Sequence, residues 1–324
     1  MFASALLLAS SARAMAPALG GQVFACTTTP DTNSTVHARA RGACAVGSVG
    51  LIDPATGKWN TSSCIAVDWA DDAECASVMA DGTVLVYVTP SGGEDTFIAN
   101  VDFDSGKVKK AIVGGDQGNL RCTPQGKCYG ILPESGKRDP TALIEVDGRT
   151  GDSKAVLTLE AYGGYTVDAS VVDPDNGRYH AILVGDPHSN GDGDSASGGK
   201  SNQYLVTIDL TSMKIVAEAP VGSNLMGPFA FSRALGLMTF GSDRFDGLAT
   251  LDYRSGKQTR AAPGTFFGTV YLFTAAFSAD AVFAYNIWPQ PAHFASVATS
   301  ASPARVTANH TFPSPVHALA AAWK

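Results

Sequence analysis

A pattern of two or three apolar residues and an aspartate recurs five times along the chain, usually with a glycine four residues after the aspartate. The apolar residues predict a β-strand. The aspartate can cap a tight turn, and glycine supplies the positive φ that lets the chain reverse. In one copy Met213 replaces the glycine, so a different turn is expected there. The aspartates are Asp53, Asp102, Asp147, Asp209 and Asp252.

The spacing of these aspartates indicates a repeated unit of four strands. Consecutive copies are 49, 45, 62 and 43 residues apart, close to the period of roughly 40 to 50 residues that is typical of propeller blades. The longest interval contains a polar insertion, 186–202, and would be 45 residues without it. The fifth unit divides into four predicted strands: 228–232, 236–241, 248–252 and 257–261.

The two ends of the chain predict how the ring of blades closes. A strand at 22–27 begins the first unit, which lacks an inner strand, and an isolated apolar stretch at 316–323 has no unit of its own. If the tail pairs with the first unit, no open sheet edge remains. With a degraded unit at 271–312, whose third strand is predicted at 295–298, this predicts an all-β, six-bladed propeller as a single domain over 20–324. A seven-bladed propeller is the alternative, and it needs a further unit.

With these degenerate repeats, the chain resembles the broad β-propeller class that contains quinoprotein-like, lactonase-like and surface-antigen repeat propellers of the WD40/YVTN-like superfamily. The resemblance covers nearly the whole chain and implies the fold. Neither the regular Gly-His and Trp-Asp pairing of WD40 repeats nor a diglycine kelch pattern is present. The resemblance therefore favours no single family.

Charge and hydropathy narrow the class of partner. The net charge is −7 and only 16% of residues are charged, with basic residues scattered along the chain. Nucleic acid is therefore not expected as a partner, because phosphate contacts require a basic face. No run of about 18 apolar residues follows the N-terminus, so no membrane span is predicted.

Several features favour export from the cytosol. Residues 1–16 resemble a signal peptide with a short apolar core at 5–9, although no basic residue precedes that core. A frayed cytosolic terminus is the alternative. Three N-glycosylation sequons begin at Asn33, Asn60 and Asn309. Together they predict a secreted glycoprotein, extracellular or in the lumen of the secretory pathway.

The six cysteines all lie within the first 128 residues. An even number favours disulfides, and no paired CxxC spacing of the zinc type occurs. Free thiols buried in the core are the alternative. The blade assignment predicts three pairs: Cys26 with Cys44, Cys64 with Cys75, and Cys122 with Cys128.

The predicted ligand surface is the mouth of the central channel formed by the loops between second and third strands and between fourth and first strands. These loops vary in length, and variable loops on a rigid scaffold usually carry function. Polar residues at the inner strand ends and aromatic residues near the same mouth are candidate ligand contacts. They are Asn119, Asp168, Asn224, His317, Tyr165 and Trp288.

Oxygen ligands from Asn119, Asp168 and Asn224 would suit a hard cation such as Ca²⁺. The alternative is a polar channel that holds only water. The acidic stretch 190–194 is similar to the start of a calcium loop but lacks its distal glutamate, and a flexible solvated loop is the alternative.

Common catalytic motifs are absent from the sequence. We find no Gly-x-Ser-x-Gly elbow, no dinucleotide-binding glycine motif and no His-Glu-x-x-His motif. The favoured interpretation is a binding or interaction module for a protein, peptide or glycan. The competing interpretation is a metal-assisted hydrolase of the lactonase or esterase type with Ca²⁺ in the channel. A quinoprotein-like redox enzyme is a third, for which no cofactor clamp is found.

Overall fold

A computed structural model describes the part of the chain that forms the strands and many of their turns. In some of these stretches it describes only the backbone. The described residues are 23–26, 44, 47–53, 56, 58–67, 72–89, 95–113, 120–133, 140–159, 162, 165–185, 202–221, 229–232, 235–240, 247–263, 273–277, 281–286, 292–298, 305–312 and 318–321.

The described strands form six four-stranded antiparallel sheets, numbered here in chain order. Sheet 1 contains β1 (Val23–Cys26), β2 (Ser48–Ile52), β3 (Trp59–Ala66) and β24 (Ala318–Ala321). Sheet 2 contains β4 (Asp72–Val78), β5 (Val84–Thr89), β6 (Phe97–Asp102) and β7 (Lys107–Ile112). Sheet 3 contains β8 (Arg121–Cys122), β9 (Lys127–Pro133), β10 (Pro140–Asp147) and β11 (Ser153–Thr158).

The other three sheets follow in the same manner. Sheet 4 contains β12 (Tyr165–Asp173), β13 (Arg178–Gly185), β14 (Asn202–Asp209) and β15 (Lys214–Pro220). Sheet 5 contains β16 (Phe229–Ser232), β17 (Gly236–Phe240), β18 (Gly247–Leu251) and β19 (Gln258–Pro263). Sheet 6 contains β20 (Phe273–Phe277), β21 (Ala281–Asn286), β22 (Ala292–Ala298) and β23 (Arg305–Phe312). This arrangement confirms the prediction of an all-β propeller.

Pairing of the two chain ends completes the first sheet. β24 runs antiparallel to β1, with Ala321 opposite Val23 and Ala318 opposite Cys26. The order of the sheet is β24, β1, β2, β3. The predicted role of the tail as the inner strand of the first unit is therefore confirmed.

The hydrophobic core lies between neighbouring sheets, as β5 shows. All five residues from Val84 to Val88 are at most 2% exposed, because alternate side chains face opposite neighbours. Val84, Val86 and Val88 pack with Val49 and Val67 of the sheet 1 side. The intervening residues pack against sheet 3: Leu85 and Tyr87. Continuous apolar runs in the inner strands follow from burial on both faces.

The repeated aspartate caps its turn as predicted. Asp252 accepts hydrogen bonds from the backbone N–H groups of Arg254 and Ser255 at 3.0 and 2.8 Å, and Gly256 has φ +67°. The expectation of a different turn at Met213 is wrong. Asp209 there accepts two equivalent backbone hydrogen bonds, and Met213 itself takes φ 51°. The aspartate cap thus holds the same turn without glycine.

The disulfides correct the sequence prediction in part. Cys122 pairs with Cys128, as predicted. Cys44 pairs with Cys64 instead, with their Cα atoms 5.5 Å apart, so the predicted Cys26–Cys44 and Cys64–Cys75 pairs are wrong. The register of β3 against β2 shifts between Val49 and Leu51. The extra β3 residues, Cys64 among them, therefore lie opposite Gly50, where the Cys44 sulfur is placed. The side chains of Cys26 and Cys75 lie outside the described residues.

Peptide mapping without reduction tests this pairing. We expect one linked peptide that joins Cys44 to Cys64 and one that joins Cys122 to Cys128. Reduction should separate both, and a Cys44→Ala variant should lose only the first. A linked peptide that joins Cys64 to Cys75 would contradict the structure.

Among the described residues, no helix has both the length and the apolar character needed to cross a membrane.

Candidate functional site

The structure leaves most of the predicted channel residues untested. Asn119, Asn224, His317 and Trp288 lie outside the described residues, so the calcium site stays a prediction. Tyr165 and Asp168 lie in β12, where only their backbone is described. The pairing of β12 with β13 shifts register between Val167 and Ala169, so Asp168 occupies an irregular position in that strand.

The structure likewise leaves the predictions for the three sequons and the polar insertion largely untested. Asn60 is exposed on β3, and its side-chain oxygen accepts a hydrogen bond from the Ser62 hydroxyl at 2.6 Å. Asn309 lies in β23, of which only the backbone is described. Asn33, the predicted signal peptide and residues 186–201 lie outside the described residues. Glycosylation and export remain predictions.

A cavity of about 470 Å³ lies between sheets 4 and 5. Its lining comes from the β12–β13, β16–β17 and β18–β19 turns and the strand ends beside them. Turns between first and second strands and between third and fourth strands lie at the same edge of an antiparallel sheet. The cavity therefore opens on the face opposite the loops that the sequence predicted as the ligand mouth.

His180 forms the buried end of this cavity. It is 1% exposed, and its Nδ1 is 2.9 Å from the hydroxyl oxygen of Thr207, its cross-strand neighbour on β14. Its Nε2 has no hydrogen-bond partner among the described residues. Burial, together with the positive charge of Arg178, lowers the pKa of His180 to about 3. The ring is therefore neutral at physiological pH and presents one unpaired nitrogen.

Aromatic rings hold His180 in place. Its ring centroid is 5.8 Å from that of Tyr253 and 6.4 Å from that of Phe229, both in edge-type geometry. Such T-shaped contacts are favourable for aromatic rings. Phe229 and Tyr253 belong to the sheet 5 side, so the contacts fix the histidine across the boundary between the sheets.

Arg178 supplies a half-buried cation beside the histidine. Its guanidinium carbon lies 4.6 Å from the centroid of the Tyr253 ring, within the range of a cation–π interaction. Arg254 approaches the same ring at 5.3 Å but does not line the cavity. The guanidinium N–H groups of Arg178 have no hydrogen-bond acceptor among the described residues, so they remain available to a ligand.

The charged groups that line the cavity balance one another: Asp173, Asp252, Arg178 and Lys257. Asp173 is 3% exposed, and both its carboxylate oxygens accept hydrogen bonds within its own turn. Asp252 is exposed. The backbone N–H and hydroxyl of Ser255 lower its pKa, and both bonds end on Oδ1. Its Oδ2 accepts no hydrogen bond from a described residue.

The polar and apolar groups of this cavity are suited to binding an organic ligand more than to holding a metal ion. Within the described ranges, no group of three or more His, Cys, Asp or Glu side chains could hold a metal ion. The unpaired imidazole nitrogen, the guanidinium and the free carboxylate oxygen instead provide three separate polar contacts around one cavity. The apolar walls are Phe231, Leu235, Leu237 and Leu251.

Sequence reasoning did not find this site, because it assigned ligand binding to the opposite face. The available signal was the start of β13, where Arg178 and His180 precede a wholly apolar run. Two ionisable residues at the end of a strand buried on both faces need partners. These two residues indicate a specific site only once the structure places Tyr253 of the neighbouring sheet beside them.

Comparison with known proteins supports the fold and gives no family. No protein-family model and no curated protein matches the chain. The structure of TolB from Acinetobacter baumannii is 15% identical with a TM-score of 0.57, over 94% of this chain and 67% of that one. A candidate 6-phosphogluconolactonase from Bacteroides fragilis is 11% identical with a TM-score of 0.50, over 92% and 96% of the two chains. At such identities the likeness shows a propeller-like fold alone.

Proposed function

We propose that this protein is an exported six-bladed propeller that works as a binding module for a protein, peptide or glycan. The cavity between sheets 4 and 5 is the ligand site in this proposal. The observation that carries it is the presence of a buried unpaired His180 Nε2 and an acceptor-free Arg178 guanidinium in one cavity. Buried polar groups are normally paired, so both are suited to a ligand's polar atoms.

Contacts between innermost strands support the count of six blades. Each first strand contacts the first strand of the next sheet, from β4 through β8, β12, β16 and β20. β24 then contacts both β20 and β4. This succession of contacts forms a closed cycle, as a ring of six sheets requires.

The disulfide bonds support the proposed export to an oxidising compartment. One disulfide lies at sheet 1 and another within sheet 3, and such bonds are typical of oxidising compartments. The exposed Asn60 sequon fits the same environment. Secretion or residence in the secretory lumen is therefore part of the proposal.

Arrays of short peptides and of oligosaccharides, probed with labelled full-length protein, test the function. We expect capture on one of the arrays and a loss of at least about tenfold for Arg178→Met, because hydrogen bonds to charged groups are worth about 1.5 to 3 kcal/mol. Arg254→Met is the matched control, since Arg254 contacts the same ring outside the cavity, and it should retain capture.

Two results would contradict this proposal. If the wild-type protein captures no peptide and no oligosaccharide, the binding-module assignment is wrong. If Trp288→Ala abolishes capture while Arg178→Met leaves it intact, the ligand surface is the predicted channel mouth and the cavity is not the site.

A further inference from the structure

The charges around the cavity indicate the class of ligand. Four charged side chains line it, two positive and two negative, and His180 is neutral. A dianion such as phosphate would leave uncompensated negative charge, and a plain cation would leave the guanidinium unpaired. A ligand that carries one charge of each sign matches the balance.

Only one of the two lining carboxylates is available for a ligand. Asp173 is buried and uses both oxygens in its own turn. Asp252 uses Oδ1 for its turn and leaves Oδ2 without a donor from a described residue. An ammonium group is the natural partner for that oxygen.

Only one of the two lining cations is both held in place and short of an acceptor. Lys257 is exposed, whereas the guanidinium of Arg178 lies against Tyr253. A guanidinium presents its N–H groups in a fork that matches a carboxylate in bidentate geometry. Holding the guanidinium on the ring reduces the entropy lost when that pair forms.

Resting on the proposed binding function, we propose that the cavity binds a small zwitterion, an amino acid or a short peptide, with its carboxylate on Arg178 and its ammonium on Asp252. The side chain of the ligand lies against the apolar walls, Phe231 and Leu237 among them. His180 Nε2 supplies a further hydrogen bond from the buried end. A volume of about 470 Å³ falls within the range of roughly 300 to 1,000 Å³ that small-molecule sites occupy.

Titration calorimetry with four forms of leucyl-leucine tests the proposal: the free dipeptide, the N-acetylated form, the C-terminal amide and the doubly capped form. We expect the free dipeptide to bind most tightly. Each cap should weaken binding by about tenfold to a hundredfold, because it removes one charge-assisted contact.

Two variants identify the partners of each end. In Arg178→Met, the free dipeptide and its C-terminal amide should bind equally, because the carboxylate has lost its partner. In Asp252→Asn, the free and N-acetylated forms should bind equally. The matched controls are Arg254→Met and Asp102→Asn, the latter at the equivalent turn of sheet 2 and outside the cavity lining. Both should keep the wild-type order of affinities, and circular dichroism should confirm that every variant is folded.

The outcomes separate this inference from the function on which it rests. If the capped forms bind as well as the free dipeptide, the zwitterion assignment is overturned and the binding module stands. If no form binds while either array captures the protein, the same conclusion follows. If no form binds and neither array captures the protein, both proposals fail.

Discussion

Replacing Gly256 with alanine is expected to lower the free energy of unfolding by about 2 to 4 kcal/mol, through positive-φ strain and a clash that only backbone movement can relieve. Gly256 has φ +67°, and a Cβ there would overlap the carbonyl oxygen of Pro220, the last residue of β15 in the preceding sheet. Gly151 stands in the same relation to Ile112, the last residue of β7. The glycine therefore serves both the turn and the contact between neighbouring sheets.

Gly106 provides a matched control for this clash. It has the same φ of +67°, but a Cβ there meets no atom within 4 Å. Gly106→Ala should therefore cost only the strain of a left-handed alanine, about 1 kcal/mol. Urea unfolding of the Gly256→Ala and Gly106→Ala variants, followed by circular dichroism, measures the difference. Equal losses of unfolding free energy for Gly106→Ala and Gly256→Ala would show that the predicted clash with Pro220 has no cost.

The stability of the protein is expected to fall as the pH is lowered from 7 to 4.5, by about 2 to 3 kcal/mol from His180 alone. The pKa of His180 is lowered to about 3 in the folded state, against about 6.5 in an unfolded chain. Between these values the unfolded state binds more protons than the folded state. Unfolding is therefore favoured progressively as the pH falls below 6.5.

His180→Leu isolates this contribution. The variant removes the titrating group, so the slope of its unfolding free energy between pH 6.5 and 4.5 should be smaller than that of the wild type, whatever its absolute stability. Hydrogen-bonded carboxylates such as Asp102 and Asp252 have lowered pKa values. The stability that they contribute is therefore lost only at a pH below the range from 6.5 to 4.5. Parallel slopes for the two proteins would contradict a buried neutral imidazole.

The sequence was sufficient to predict a propeller because each copy of the repeat is recognisable from residues that are neighbours in sequence. An aspartate that caps its own turn needs only the next three residues, so the five copies located the strand pairs without tertiary information. The tail strand followed from the need to cover a free edge. Met213 shows the limit of such rules, because the aspartate bonds hold φ at 51° without glycine.

The disulfide pairing and the site depended on information that is not local. Cys44 bonds Cys64 because β3 departs from regular pairing with β2, and no sequence signal marked that irregularity. Gly50 leaves the space in which the Cys44 sulfur lies. The cavity likewise requires β13 and the β18–β19 turn, more than 60 residues apart in sequence, to be placed side by side.

The pairing of β24 with β1 has a consequence for biosynthesis. A ribosome that translates this chain makes β1 before the strands of the other five sheets and makes its partner β24 after them, so the first sheet stays incomplete while the others are made. An early stop codon upstream of residue 318 would release a polypeptide with β1 unpaired on that side, and such exposed strands recruit other chains. Truncated products of this gene are thus expected to aggregate instead of accumulating as soluble fragments.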